Sequence, residues 1–296
     1  MTIPKIADYS LAQAAKLPNN RVDWEVAPDK AVLLIHDMQN YFVDFYGEDS
    51  VLVQQLIHQI QQLKRWANRH DVPIVYTAQP GNQSAEDRAL LTDFWGPGLE
   101  ASALVTDIVP ALQPDTTDIQ YTKWRYSAFK RSPLEHYMKT YNRDQLVICG
   151  IYAHIGILST ALEGFMLDIK PFVVADAVAD FSLEEQQMAL NFIAGRCGRV
   201  VACQEVVRKP SSGFELEQLK QDIADSLMLD PSLIDVDENL MYLGLDSIRM
   251  MTLVDKWQSA GAPINFSDLA ESTTLSEWHR IIASKLAQPV EDLEHA

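Results

Sequence analysis

Two sets of residues in this chain have types and spacings suited to chemistry. The first centres on one serine. In Leu243-Gly244-Leu245-Asp246-Ser247-Ile248-Arg249, Ser247 follows a glycine-containing turn and an aspartate. Ile248, Met251, Val254 and Trp257 then recur at helical spacing. A hydroxyl in the first turn of a helix sits among free backbone N–H groups at the positive dipole end, where a phosphodiester on the oxygen is favoured. The plain alternative is an Asp246 or Ser247 N-cap with no further role.

The second set lies at the ends of apolar runs. Asp37 ends one, Lys123 ends another, and Gly150-Ile151-Tyr152-Ala153-His154-Ile155-Gly156 follows a third. A carboxyl group beside an ammonium can move a proton and hold an anion. A polar loop with Gln79, Gly81 and Arg88 follows a further apolar run. Singly, each has an ordinary explanation: a turn-forming Asp, solvated Lys and Arg, a packed Tyr. His36 lies inside a buried strand pattern and His154 lacks an evident partner, so both read as structural. Trp124 and Phe129 read as pocket walls or as core.

The elements that must position these groups alternate. Residues 31–37 read as a fully buried strand, followed by a helix with Val53, Leu56, Ile60, Leu63 and Ala67 on one face. Strands are predicted over 73–77, 118–122, 146–150, 172–175 and 200–203. Helices are predicted over 132–141, 161–168 and 183–194. Short apolar strands alternating with helices imply a three-layer α/β fold with a parallel sheet. Ligands in such sheets bind beyond the C-terminal strand ends, which singles out the second set. Tyr9, Leu11 and Trp24, in the leader, are expected to lie against this body.

Arg208-Lys209-Pro210-Ser211-Ser212-Gly213 has linker composition. Beyond it, Leu216, Leu219, Ile223 and Leu227 mark a helix, 266–270 a short one, and Leu275, Trp278, Ile282 and Leu286 another. The expected organisation is a large domain over 1–208, a linker over 209–213, a small all-α four-helix domain over 214–287, and an acidic tail over 288–296.

The charge is −17, from 24 Lys+Arg against 41 Asp+Glu. From Ser211 onward there are 16 acidic and 5 basic residues. Such a surface disfavours nucleic acid and anionic membranes and suits partners with basic faces. The three cysteines form no CxxC pair, and no His/Cys spacing points to zinc. They read as core filler. With no signal-peptide core in residues 1–16 and no membrane-length apolar run, a reduced cytoplasmic location is expected. GxGxxG and GxxxxGK[ST] are absent, which argues against a nucleotide site.

Over about residues 1–210 the chain resembles the isochorismatase-like hydrolases. The resemblance rests on Asp37, Lys123, the segment Gly150–Gly156, Asp168-Ile-Lys-Pro171 and Ala175-Asp-Ala-Val-Ala-Asp-Phe181. Many members carry a cysteine nucleophile at the position of Gly156. Its absence rules out an acyl-enzyme route and points to the isochorismatases proper, which carry glycine there. Residues 214–286 resemble the aryl carrier domains of non-ribosomal peptide assembly, with Gly-x-Asp-Ser-Ile at Ser247. Hydrolase then carrier is the order of the bifunctional isochorismatase/aryl carrier proteins of catechol siderophore synthesis.

The resemblance implies that Asp37, Lys123 and Gly156 form the catalytic set, with Gln79, Arg88 and Tyr152 binding isochorismate. Backbone N–H groups near Gly156 could hold a carboxylate. A cis bond before Tyr152 is expected, as is a 4'-phosphopantetheine arm on Ser247. Implied partners are a phosphopantetheinyl transferase, an aryl-adenylating enzyme, a condensation domain and a second copy of the chain. Met250, Met251 and Phe266 are candidates for the patch that carrier partners read, or for the small core. A cysteine-type amidohydrolase and an inactive scaffold bearing a carrier are the alternatives. Gly156 argues against the first, and the intact Asp37 and Lys123 against the second.

Overall fold

The computed structural model describes residues 3–207 and 214–286; the expected linker 209–213 and tail 288–296 lie outside the described residues. The chain divides into two compact units, Met1–Val207 and Arg208–Ala296.

The first unit is built on six parallel strands in the order β3-β2-β1-β4-β5-β6. They are β1 (Ala31–His36), β2 (Ile74–Ala78), β3 (Ile119–Thr122), β4 (Gln145–Ile151), β5 (Lys170–Ala179) and β6 (Arg199–Val201). All six residues of β1 and all seven of β4 are buried, because parallel strands here have apolar layers on both faces. Alternation sorts them. Leu33, Ile35, Val147 and Val174 join one core with helix α1 (Val51–Arg69). Val32, Leu34, Ile148 and Val173 join the other with helix α4 (Leu183–Arg196). Helices α2 (Leu134–Thr140) and α3 (Leu158–Met166) complete the layers in chain order. Ser50 and Ser182 cap α1 and α4. β5 runs ten residues, longer than expected, and its pairing with β4 shifts register between Ile148 and Gly150.

The leader packs as expected. Leu11 is buried, Trp24 meets Phe172 edge-on at 6.3 Å, and the Tyr9 hydroxyl donates to Gln186 at 2.6 Å. All three cysteines are buried in the core. Among the described residues no helix is long and apolar enough to cross a membrane.

The second unit holds helices α5 (Leu216–Leu227), α6 (Ser247–Ser259), α7 (Phe266–Ala270) and α8 (Leu275–Leu286) around its own apolar core. Trp257 and Trp278 pack edge-to-face at its centre, 6.1 Å apart. Asp222 is buried there and accepts from Trp257 Nε1 at 2.8 Å and Lys256 Nζ at 3.0 Å. The buried face of α6 is Met250, Leu253, Val254 and Trp257. This corrects the expected face: Ile248 is 78 % exposed and Met251 56 %. Met250 therefore belongs to the core, and Phe266 packs partly against it.

Candidate active site

Three adjacent strand ends build the floor of the site. β1 runs into Asp37, β2 carries Thr77, and β3 runs into Lys123, whose N–H donates to the Ala78 carbonyl at 2.9 Å. Asp37 adopts φ +51°, a left-handed conformation that aspartate tolerates better than most residues. Its Oδ2 accepts from Lys123 Nζ at 2.6 Å and its Oδ1 from Thr77 Oγ1 at 2.9 Å. Both charged groups are buried, so each depends on the other for compensation. Thr77, which the sequence did not single out, lies between them because β2 separates β1 from β3.

These groups open onto a cleft whose wall includes Phe42, Tyr152 and Phe181. Gln79, Arg88, Lys123, Tyr152 and Gly156 all line it with Asp37, so the six expected site residues are brought together. Gln79 is placed by the buried Gln39 amide, which accepts from its N–H at 2.7 Å and donates to its carbonyl at 2.9 Å. Arg88 is 5 % exposed, donates from Nε to the Gly96 carbonyl at 2.5 Å, and leaves Nη1 without a hydrogen-bond partner. Burial draws its pKa below the ordinary value, with Tyr41 pulling the other way. A buried cation that lines the cleft is a ready partner for an anion.

Several expectations need correction. The Tyr152 hydroxyl donates to the Phe42 carbonyl at 2.6 Å, so its proton is held by the wall and only its oxygen is left to accept from a substrate. Its ring stacks on Tyr46 and meets Phe181 edge-on at 4.6 Å. The bond before it is cis, as expected. The N–H groups of residues 155–157 all donate to the Tyr152 carbonyl in a π-helical turn, and that of His154 to Asp180. They are therefore not open to a carboxylate. Trp124 and Phe129 do not line the cleft; Trp95, Arg125 and Tyr126 do.

His154 has a partner after all. Its Nδ1 is 2.5 Å from Oδ1 of the fully buried Asp180. Burial lowers its pKa, but the Asp180 hydrogen bond and the Asp180 and Glu185 charges outweigh that and raise it. Potential metal-ligand atoms of His154, Asp180 and Glu185 lie within 4.8 Å of one another, yet Asp180 Oδ1 also accepts the Phe181 N–H at 2.9 Å. The cluster is satisfied internally. His36 is fully buried, with Nδ1 2.8 Å from the Ile151 carbonyl. Burial brings its pKa down to about 4, with Asp37 opposing and Lys123 adding to the shift.

In the second unit, Gly244 turns the chain at φ +94° and Asp246 caps α6, accepting from Ile248 N at 3.1 Å and Arg249 N at 2.9 Å. The cap is thus Asp246, and Ser247 is the exposed first residue of α6. An accessible hydroxyl at a capped helix start fits a covalent phosphodiester arm.

Comparison with known proteins matches a family to each unit. The isochorismatase domain family matches residues 31–205, and the phosphopantetheine attachment site family matches residues 217–292. "Isochorismatase" of Bacillus subtilis (strain 168) is 45 % identical and covers 100 % of both chains. "Enterobactin synthase component B" of Escherichia coli (strain K12) is 46 % identical over 97 % of this chain and 100 % of its own. A cysteine hydrolase structure from Pseudomonas syringae pv. phaseolicola 1448A shares the fold, at TM-score 0.59 and 22 % identity over 65 % of this chain and 97 % of its own. Full-length similarity of this strength places the chain in the isochorismatase family, with a phosphopantetheine attachment domain joined behind the hydrolase in one polypeptide.

Proposed function

We propose that Asp37 is the proton donor and Lys123 and Arg88 the anion-binding groups of an isochorismatase. The enzyme hydrolyses the vinyl ether of isochorismate to 2,3-dihydro-2,3-dihydroxybenzoate and pyruvate. The observation that carries the assignment is the Asp37–Lys123 pair, 2.6 Å apart and buried at the floor of an apolar cleft.

The reaction needs a proton on the terminal vinyl carbon. A substrate carboxylate against Lys123 competes for its ammonium, and the charge of the bound dianion opposes ionisation of Asp37, so Asp37 Oδ2 takes a proton from solvent as the complex forms and delivers it to that carbon. The ether carbon becomes an oxocarbenium ion, and water adds to it while Asp37 takes the water proton back. The resulting hemiketal breaks its bond to the ring oxygen, which leaves with a proton as the ring alcohol, and pyruvate forms. Thr77 holds the other carboxylate oxygen in place. Phe42, Tyr152 and Phe181 limit water in the cleft, which strengthens every charge interaction inside it. Gln79 supplies a hydrogen bond, and Gly156 leaves space beside the reacting carbon.

The second unit is a carrier for siderophore assembly, bearing covalent 4'-phosphopantetheine, which we place on Ser247. When bound, this arm supplies a thiol that holds an aryl group as a thioester. The assigned cargo is 2,3-dihydroxybenzoyl. The chain works with non-ribosomal peptide synthesis partners; those assigned are a phosphopantetheinyl transferase, an aryl-adenylating enzyme and a condensation domain. The hydrolase unit is assigned as a homodimer.

Pyruvate release from isochorismate, measured for the native protein and for Asp37→Asn, tests the first assignment. Fast release that collapses in a folded variant supports it; undiminished release in the variant removes Asp37 as the donor. For the carrier, coenzyme A and a transferase should add one phosphopantetheine mass to the native chain and none to Ser247→Ala.

A further inference from the structure

His36 and Gly156 compete for one volume. His36 is the last residue of β1 and Gly156 lies in the π-helical turn after β4. A Cβ built on Gly156 would overlap the His36 ring at Cε1 and crowd Nε2 and Nδ1. The ring cannot easily retreat. It is fully buried, and its Nδ1 is tied to the Ile151 carbonyl at 2.8 Å. Its Nε2 has no partner at strict hydrogen-bond geometry, although the Tyr126 backbone lies close enough to act on the ring. Nδ1 also lies 3.7 Å from Asp37 Oδ2, and Gly156 faces the cleft beside Asp37 and Lys123.

We propose that His36 is a specificity-determining residue: its ring fills the space of a side chain at 156 and so keeps any side-chain nucleophile away from the Asp37–Lys123 pair. The site is thereby confined to proton transfer and attack by water. This rests on the isochorismatase reading for its chemistry, although the steric coupling stands independently. Its corollary is that shrinking residue 36 makes room for a side chain at 156. Valine suits the end of a buried strand, and asparagine is a smaller residue that keeps a donor for the Ile151 carbonyl.

The test is a double-mutant cycle on the full chain, with melting temperature and thiol reactivity as readouts. Gly156→Ala should lower the melting temperature by at least about 3 °C in the native background, as overpacking does. The same change should cost less than half of that beside His36→Val. Gly156→Cys beside His36→Val should add one thiol that iodoacetamide alkylates; the S–C bond forms, the C–I bond breaks, iodide leaves and the thiol proton passes to solvent. The native chain, with its cysteines buried, gives the baseline. Beside His36 the same cysteine should react at least about ten-fold more slowly, because it has no open position. His36→Asn is run in parallel in case His36→Val does not fold. Equal melting losses in both backgrounds, or equal alkylation rates, overturn the proposal. A cycle that shows the coupling in a native protein that releases no pyruvate overturns the isochorismatase reading alone.

Discussion

Thr77 Oγ1 donates to Asp37 Oδ1 across 2.9 Å, tying the end of β2 to the end of β1. The bond fixes the carboxylate on the side away from Lys123. Thr77→Val keeps the shape and removes the donor. We expect kcat/KM for pyruvate release to fall about ten-fold, since a hydrogen bond to a charged group is worth about 1.5 kcal/mol or more. The melting temperature should fall by about 3–6 °C, because the bond is buried, so the kinetics are read on the folded variant. Unchanged kcat/KM in the variant would show that Lys123 alone orients Asp37.

Gly98 governs Arg88. Its φ is +88°, and a Cβ there would strike the Arg88 guanidinium. Gly98→Ala combines backbone strain of about 1 kcal/mol with displacement of the Arg88 guanidinium, the cation we propose binds substrate. Steady-state kinetics should show KM raised several-fold with a smaller change in kcat, the pattern of lost ground-state binding. A fall in kcat at constant KM would assign Arg88 to the transition state instead.

The sheet and the polar strand ends at Asp37 and Lys123 were legible in the sequence, and the roof of the cleft was not. Residues 31–37 and 146–150 are apolar without alternation because both faces of β1 and β4 are buried, so the strands and their polar ends could be read directly. The roof consists of turns such as Ala85–Arg88 and Leu91–Trp95, too short to show a period. Its defining contacts, Arg88 on Gly98 and Trp95 Nε1 to Tyr126 at 2.8 Å, exist only through tertiary structure. In α6 the apolar residues fit two helical stripes one residue apart, and only packing against Trp278 and its neighbours selects Met250 over Met251. The partner of His154 was hidden for a similar reason: Asp180 is 26 residues away and arrives by the extension of β5.

Acid should weaken the hydrolase unit through His36. Its folded pKa is about 4 against an ordinary 6.5, so the buried ring stays neutral while the unfolded ring takes a proton. The contribution is complete above pH 6.5, is lost as pH falls, and is gone below about 4. The full loss is about 3 kcal/mol. Urea midpoints at pH 7, 5 and 4 should fall for the native chain and fall less for His36→Asn. Parallel slopes in the two proteins would place the acid sensitivity elsewhere.

Met250 and Met251 should separate stability from recognition. Met250 is 3 % exposed and Met251 56 %. Met250→Ala should destabilise the carrier unit by about 2–5 kcal/mol, as core truncations do. Met251→Ala should leave its melting unchanged and slow transfer of the aryl group to or from partners. Both variants melting alike would mean that the α6 face is assigned wrongly.

Asp37 and Lys123 meet at 2.6 Å although 86 residues separate them in the chain, and β2 must be seated between β1 and β3 before they can. Closing so long a loop carries an entropic cost that local contacts do not recover. Fragments that stop short of β3 hold the carboxylate but never its ammonium. Recovered turnover during refolding therefore times the docking of an edge strand, an event to which helix-sensitive spectroscopy is nearly blind.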